Sequence, residues 1–450
     1  MLRSTATILF ACTLTGCTTL GPAYNAPAIN TGLHYGSSAA GAKSITAQVQ
    51  WWTVFNDKTL NRLIETGLAQ NMTVAQAVER VVAARESSVS AGLNNLPSGT
   101  TLAQAAASGG SIGGTQFSSS ASASLSWEID LFGGLAKQRE AARASLDATI
   151  EQANGARLSL IGEIARNYLQ ARGYQDRLQI ARSTLDGQNR TLTVTRQKNE
   201  AGLTSNLDLA QLQGDVSTTA ASIPTLEIAL AETIHRLGVL IGQEPKSLNT
   251  LFATSAQIPR LTATVSPGIP ADLMRDRPDI RQAERELASA IADIGVAEAD
   301  LYPSLSLSGN LSVASATSWS LGPSLSLPIF NRGQLKQTVL IEQSQARQSY
   351  LAYKQAVLMA VEEVENALVG LSKQQTRRAQ LANSYTSYAE ASELAQERYA
   401  AGETTLLTLL TVQRSLYSAR DSLAQSTVEV GLQYIALSLA LGGGWDLSSR

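Results

Sequence analysis

Apolar residues between positions 57 and 94 recur at three- and four-residue spacing: Leu60, Leu63, Ile64, Leu68, Val74, Ala77, Val78, Val81 and Val82. That is the period of an amphipathic helix, and Asp57 stands where an N-cap is expected. At residue 97 the pattern changes. Ala121, Ala123, Leu125, Trp127 and Ile129 alternate with Ser120, Ser122, Ser124 and Ser126. A period of two predicts a strand with one apolar face and one small polar face. The same alternation returns at Leu305, Leu307, Leu311 and Val313, and again at Trp319, Leu321, Leu325, Leu327 and Ile329, with serines between. The reading is therefore two strands within residues 98–131 and two within 303–330. After each strand pair the helical period resumes over a long stretch, residues 135–200 and 334–400. Ala171, Tyr174, Leu178, Ala181, Leu185, Gln188 and Leu192 trace a coiled-coil seam on the first. Gly202 and Gly402 stand where a left-handed residue would end these helices. A return helix then runs to Gly242 and to Gly442. Pro224 lies inside the first return helix and is expected to bend or break it. Ala424 occupies the matching place in the second.

The two halves are copies of one unit. Arg196 to Leu209 reappears as Arg398 to Leu409, and the register holds through Leu212 with Val412, Leu237 with Leu437 and Gly242 with Gly442. Upstream, Val74, Ala77 and Pro97 correspond to Ile280, Ala283 and Pro303. This divides the chain into a first repeat at 57–250, a linker at 251–274 containing Pro259, Pro267 and Pro270, and a second repeat at 275–450. A helix filling residues 135–200 would be roughly 100 Å long, far more than a globular core requires.

The N-terminus reads as an export signal over residues 1–16, with Arg3 ahead of a short apolar run. Leu14-Thr15-Gly16-Cys17 has the order of a lipobox, which makes Cys17 the lipidated first residue of the mature chain and residues 17–56 an extended, lipid-anchored segment ending at Trp51-Trp52. Cleavage removes Arg3 from 35 basic residues, so the mature chain carries 34 against 37 acidic ones, a net of −3. That balance argues against a nucleic-acid partner. No stretch reaches about 18 uncharged apolar residues, so a membrane crossing would have to use strands.

Four strands cannot close a barrel, for which about eight is the practical minimum. Three chains would supply twelve, and the serine faces suit a water-filled interior. The chain resembles the outer membrane factor family, the TolC-like channels, and within it the lipoprotein branch of NodT type. The resemblance rests on Trp127-Glu-Ile-Asp-Leu-Phe-Gly133, Arg277-Pro-Asp-Ile-Arg-Gln-Ala-Glu284, Ile294-Gly-Val-Ala-Glu-Ala299 with Tyr302-Pro303, Leu327-Pro-Ile-Phe330 and Leu441-Gly-Gly-Gly-Trp445. It implies a mainly α fold with a β-barrel part. Long helical hairpins form a periplasmic tunnel, and four strands per chain contribute to a 12-stranded trimeric outer-membrane barrel. It also implies a homotrimer in outer membrane lipids that serves a tripartite efflux system. Its partners are a periplasmic adaptor and an inner-membrane transporter of the resistance-nodulation-division class. No cofactor and no enzymatic activity are implied. A type I protein secretion channel and a structural coiled-coil envelope lipoprotein are the alternatives. The alternating, charge-poor strands count against the second, which needs none.

The candidate sites follow from the turns. The small-residue tips Ala201-Gly202-Leu203-Thr204 and Ala401-Gly402-Glu403-Thr404 are expected to receive the adaptor. The resemblance places an aperture beside them and maps its tyrosine onto Tyr399. Its acidic positions fall on Thr408 and Thr411, and its arginine position on Thr404, so this chain departs from the family pattern. A gate closed by Leu406, Leu407 and Leu410, with one acidic ring from Asp208, is the expectation here. Gly109-Gly-Ser111-Ile-Gly113 matches a hydrolase motif but sits between strand signals, with no suitable helix after it. His34 and His235 have no partner at ligand spacing, so no metal site is expected.

Overall fold

The computed structural model describes residues 19–27, 50–110, 113–261 and 277–443. The export signal, Cys17, most of the 17–56 segment, Ser111, residues 262–274 of the linker and Trp445 lie outside the described residues. A short 3-10 helix, Trp51–Phe55, precedes α1 (Lys58–Gln70), α2 (Met72–Leu93), β1 (Ser98–Gly110), β2 (Gly113–Ile129), α3 (Gly134–Glu200) and α4 (Asn206–Leu240). Then come α5 (Asn249–Phe252), α6 (Pro278–Ala299), β3 (Ser304–Val313), β4 (Thr317–Ser326), α7 (Arg332–Ala400) and α8 (Leu406–Ala440). The order helix, two strands, long helix, return helix occurs twice. At 67 and 69 residues, α3 and α7 are each about 100 Å long.

Two sequence expectations are corrected. The helix read over 57–94 is two helices, because Asn71 takes an extended conformation between them. Its side-chain oxygen accepts from the N–H groups of Thr73 and Val74 at 2.8 and 3.0 Å, capping α2. Its Nδ2 donates to the Leu240 carbonyl at 2.9 Å. The apolar period carries across this break, so spacing alone hides it. In the second repeat Arg277 occupies the matching position and donates to the Ala440 carbonyl at 2.8 Å. Both copies thus satisfy the end of a return helix with one side chain from the same place. Pro224 does not break α4, which runs through it. Pro224 is exposed, so the carbonyl left without its N–H partner can be met by water. The chain leading to Trp51 and Trp52 lies outside the described residues, but the two tryptophans themselves are placed. They belong to a buried 3-10 turn, and Trp51 Nε1 donates to the Gly443 carbonyl at 3.1 Å.

The described residues form two compact units, with α3 and α7 contributing to both. The first holds a four-stranded antiparallel sheet in the order β1-β2-β3-β4. Its register aligns like with like: Ser124 faces Asn310, which faces Ser320, and Leu125, Gly309 and Leu321 form the next row. Across β2, β3 and β4 each face is therefore uniform, the condition under which alternation specifies register; β1 departs from it, with Leu102 opposite Ser122. β1 and β4 are left as edges. The apolar side chains Trp319, Leu321 and Leu325 are exposed in the single chain. Residues 19–27 pack in the same unit, where Leu20 N–H donates to the Phe132 carbonyl at 3.1 Å and Tyr24 donates to Glu284 at 2.7 Å.

The second unit holds the main hydrophobic core, in which Trp51, Phe55, Ile161, Ile164, Tyr168, Leu169, Leu237 and Ile435 are buried. Asp57 caps α1 as expected, accepting from Thr59 and Leu60. Its second oxygen accepts from the Tyr168 hydroxyl at 2.7 Å. Burial, and then that hydrogen bond, push the Tyr168 phenol up to about 12. The buried Arg172 lies against the rings of Tyr168 and Phe252, 5.1 and 4.7 Å from their centroids.

Candidate functional site

Both tips are built by the same backbone device. Gly202 and Gly402 have φ of +73° and +79°. Leu203 N–H returns to the Lys198 carbonyl and Gly202 N–H to that of Asn199, at 2.8 and 2.9 Å. At the second tip Glu403 bonds Arg398 and Gly402 bonds Tyr399, at 2.8 and 3.1 Å. This paired closure is the Schellman motif, which needs a left-handed residue and so favours glycine. Nothing lies within 4 Å of where a Cβ would stand on either glycine. A side chain there would meet strain and open space, with no clash. Ala201, Gly202, Leu203, Ala401, Gly402 and Glu403 are exposed, and Thr204 and Thr404 half-buried.

The tips differ in side chains. At the first, Ser205 caps α4 and Asp208 closes a capping box. The Asp208 carboxylate accepts from the hydroxyls of Ser205 and Thr204, each at 2.9 Å, and from Ser205 N–H at 3.3 Å. These bonds, the Ser205 side chain first, hold its carboxyl below the usual carboxylate range. At the second tip Thr405 caps α8 through Thr408 N–H, and the hydroxyls of Thr405 and Thr408 meet at 3.0 Å. The Thr411 hydroxyl donates to the Leu407 carbonyl at 2.8 Å.

The three candidate gate leucines separate. Leu406 and Leu410 are buried with Leu409, Leu212 and Ala395, and Leu192, Tyr399 and Val412 pack on the cluster. Leu407 is 52 % exposed. Helical spacing places all three near one another but does not say which the other hairpin covers. Tyr399 receives the Lys198 ammonium, 4.6 Å from its ring centroid. Farther from the tips, Arg414 pairs with Asp215 through two nitrogens, at 2.8 to 3.1 Å. Sequence reasoning missed Lys198, Leu212, Leu409 and this ion pair. Each is defined by a contact between segments about 200 residues apart, which no local pattern reports.

The model of the family described as outer membrane efflux protein matches residues 63–243 and 269–443. The chain belongs to the outer membrane efflux protein family. It is similar to nodulation protein T of Rhizobium leguminosarum bv. trifolii, with 36 % identity over 98 % of this chain and 97 % of that one. It is also similar to the pyoverdine export outer membrane protein OpmQ of Pseudomonas putida, with 32 % identity over 92 % of this chain and 91 % of the relative. The solved outer-membrane channel OprN superimposes with a TM-score of 0.86 at 33 % identity, covering 95 % of this chain and 99 % of its own. As an outer membrane efflux channel protein, the chain carries its long hairpins on the periplasmic side and its sheet in the outer membrane. The family is one of channel proteins, and its fold accounts for the alternating strands and for helices of this length.

Proposed function

We propose that three copies close their sheets into one 12-stranded barrel, and that the joined hairpins form the exit duct of a tripartite efflux system. The observation that carries this is the sheet itself: four strands with both edges unpaired and an apolar face exposed. In hydrocarbon such edges leave backbone groups without partners, and only closure by further copies satisfies them. The relative named for pyoverdine export makes small organic molecules the cargo class. The two exposed tips dock a periplasmic adaptor, through which a resistance-nodulation-division transporter delivers cargo. The open space around Gly202 and Gly402 supports this reading, because a partner needs that space. Replacing both by valine disfavours the left-handed turn by about 1 kcal/mol or more at each and fills the docking space. The double variant is expected to reach the outer membrane as a trimer and to lose resistance to the exported compound. Unchanged resistance would remove the tips from the mechanism.

We further propose that Cys17 carries acyl chains that anchor the mature N-terminus in the outer membrane. Cys17→Ser is expected to abolish incorporation of labelled palmitate and to block signal cleavage. Continued labelling would place the lipid elsewhere.

A further inference from the structure

The four strands are not equally long. Pairing of β2 with β3 ends at Ala121 and Val313, and pairing of β3 with β4 ends at Val313 and Thr317. β1 and β2 continue past that row, from Gln104 paired with Ser120 to Gly110 paired with Gly113. The ten residues of β3 and of β4 match the length that crosses an outer membrane. The remaining residues of β2, 113–120, extend about 26 Å beyond them at the usual rise per residue. With the hairpins on the periplasmic side, this two-stranded ribbon stands on the outer side of the membrane.

Both long edges of the ribbon are open in the single chain. Natural edges are protected by charges, by proline or by shortness. Apart from a register shift between Ser108 and Gly110 near its tip, this one has no such protection. From Ser98 to Trp127 the sequence contains no charged residue and no proline, and Phe117 is 84 % exposed. The outer edge of the ribbon is the direct continuation of β1, the edge that the trimer reading above pairs with the next copy.

We propose that the ribbons of the three copies lean toward one another above the membrane without closing into one continuous sheet, making a narrower collar at the outer mouth of the duct. The neighbour of each open edge is thus a second copy of this chain. An uncharged serine and alanine surface permits close backbone approach without burying charge. This inference rests on the trimer, and its test separates the two.

Convergence can be measured as a distance. In a barrel that does not narrow, equivalent residues of adjacent copies are four strands apart, about 19 Å at 4.8 Å per strand. A bis-maleimide of about 8 Å reach cannot bridge that gap but can bridge converged ribbons. The test uses the full-length channel in outer membranes with Ala106→Cys, and with Ser122→Cys as the membrane-level control. Ala106→Cys is expected to react with an impermeant maleimide on intact cells. With the bis-maleimide it is expected to shift from the monomer band to bands of two and three chains, while Ser122→Cys stays monomeric. If Ala106→Cys is labelled from outside and the protein is trimeric by native mass spectrometry, yet no cross-linked band forms, the collar does not exist. If it is not labelled from outside, the ribbon is misplaced and the proposal falls. A monomeric protein would overturn the trimer reading, and the collar with it.

Discussion

Asn71 and Arg277 show what single side chains do in this fold. Each stands at the same place in its repeat and closes the last turn of a return helix by donating to a carbonyl, of Leu240 or of Ala440. Asn71 also caps α2, so one amide serves two helices. Asn71→Ala removes the cap, worth about 1 kcal/mol, and orphans a buried carbonyl, worth about 1–3 kcal/mol. Asn71→Ser keeps a capping oxygen and loses the donor, without setting a second oxygen against the Leu240 carbonyl. We expect alanine to lower the temperature at which helical circular dichroism is lost, and serine to lower it by less. Equal losses would show that the cap contributes nothing. Within the chain, glycines 202 and 402 act through backbone conformation, and the sequence announces them because few other residues tolerate a positive φ.

At the scale of elements, the long helices and the alternating strands are legible because their periods are local properties of the chain. The break at Asn71 is not, since the apolar period runs through it. Nor is the passage of α4 through Pro224, which depends on that residue facing solvent. The residue cluster of the proposed aperture is half legible. Tyr399, Asp208 and the leucines can be placed near the tips, but covering Leu406 and Leu410 while leaving Leu407 exposed requires Leu212 and Ala395 from other helices. We therefore expect Leu407→Ser to raise resting conductance and sensitivity to a large antibiotic such as vancomycin. The Asp208 carboxylate has a depressed pKa, so it stays charged until the pH falls below the ordinary carboxylate range. Its capping contribution is present above its unfolded pKa and is lost as pH falls through the lower, folded one. Three such charges in a trimer favour cations, and salt screens them. Asp208→Ala is expected to weaken cation selectivity at neutral pH with little change in resting conductance. Leakage from Asp208→Ala and none from Leu407→Ser, in single-channel recordings, would mean that the gate is electrostatic.

At the scale of the whole molecule, a sheet of four strands and helices about 100 Å long serve no purpose in an isolated chain. The strand count and the duplication of the unit point to an assembly on their own, because each copy of the unit brings half of an incomplete sheet. Which surfaces meet between copies is not legible, since those contacts lie outside one chain's own periodicity. The central claim is that the assembled chains conduct. Purified protein, confirmed as a trimer, should give discrete conductance steps in planar lipid bilayers, with larger steps or more frequent openings in the Leu407→Ser variant. Folded trimer that inserts into the bilayer, yet leaves it insulating in both the natural and the Leu407→Ser forms, would contradict the account.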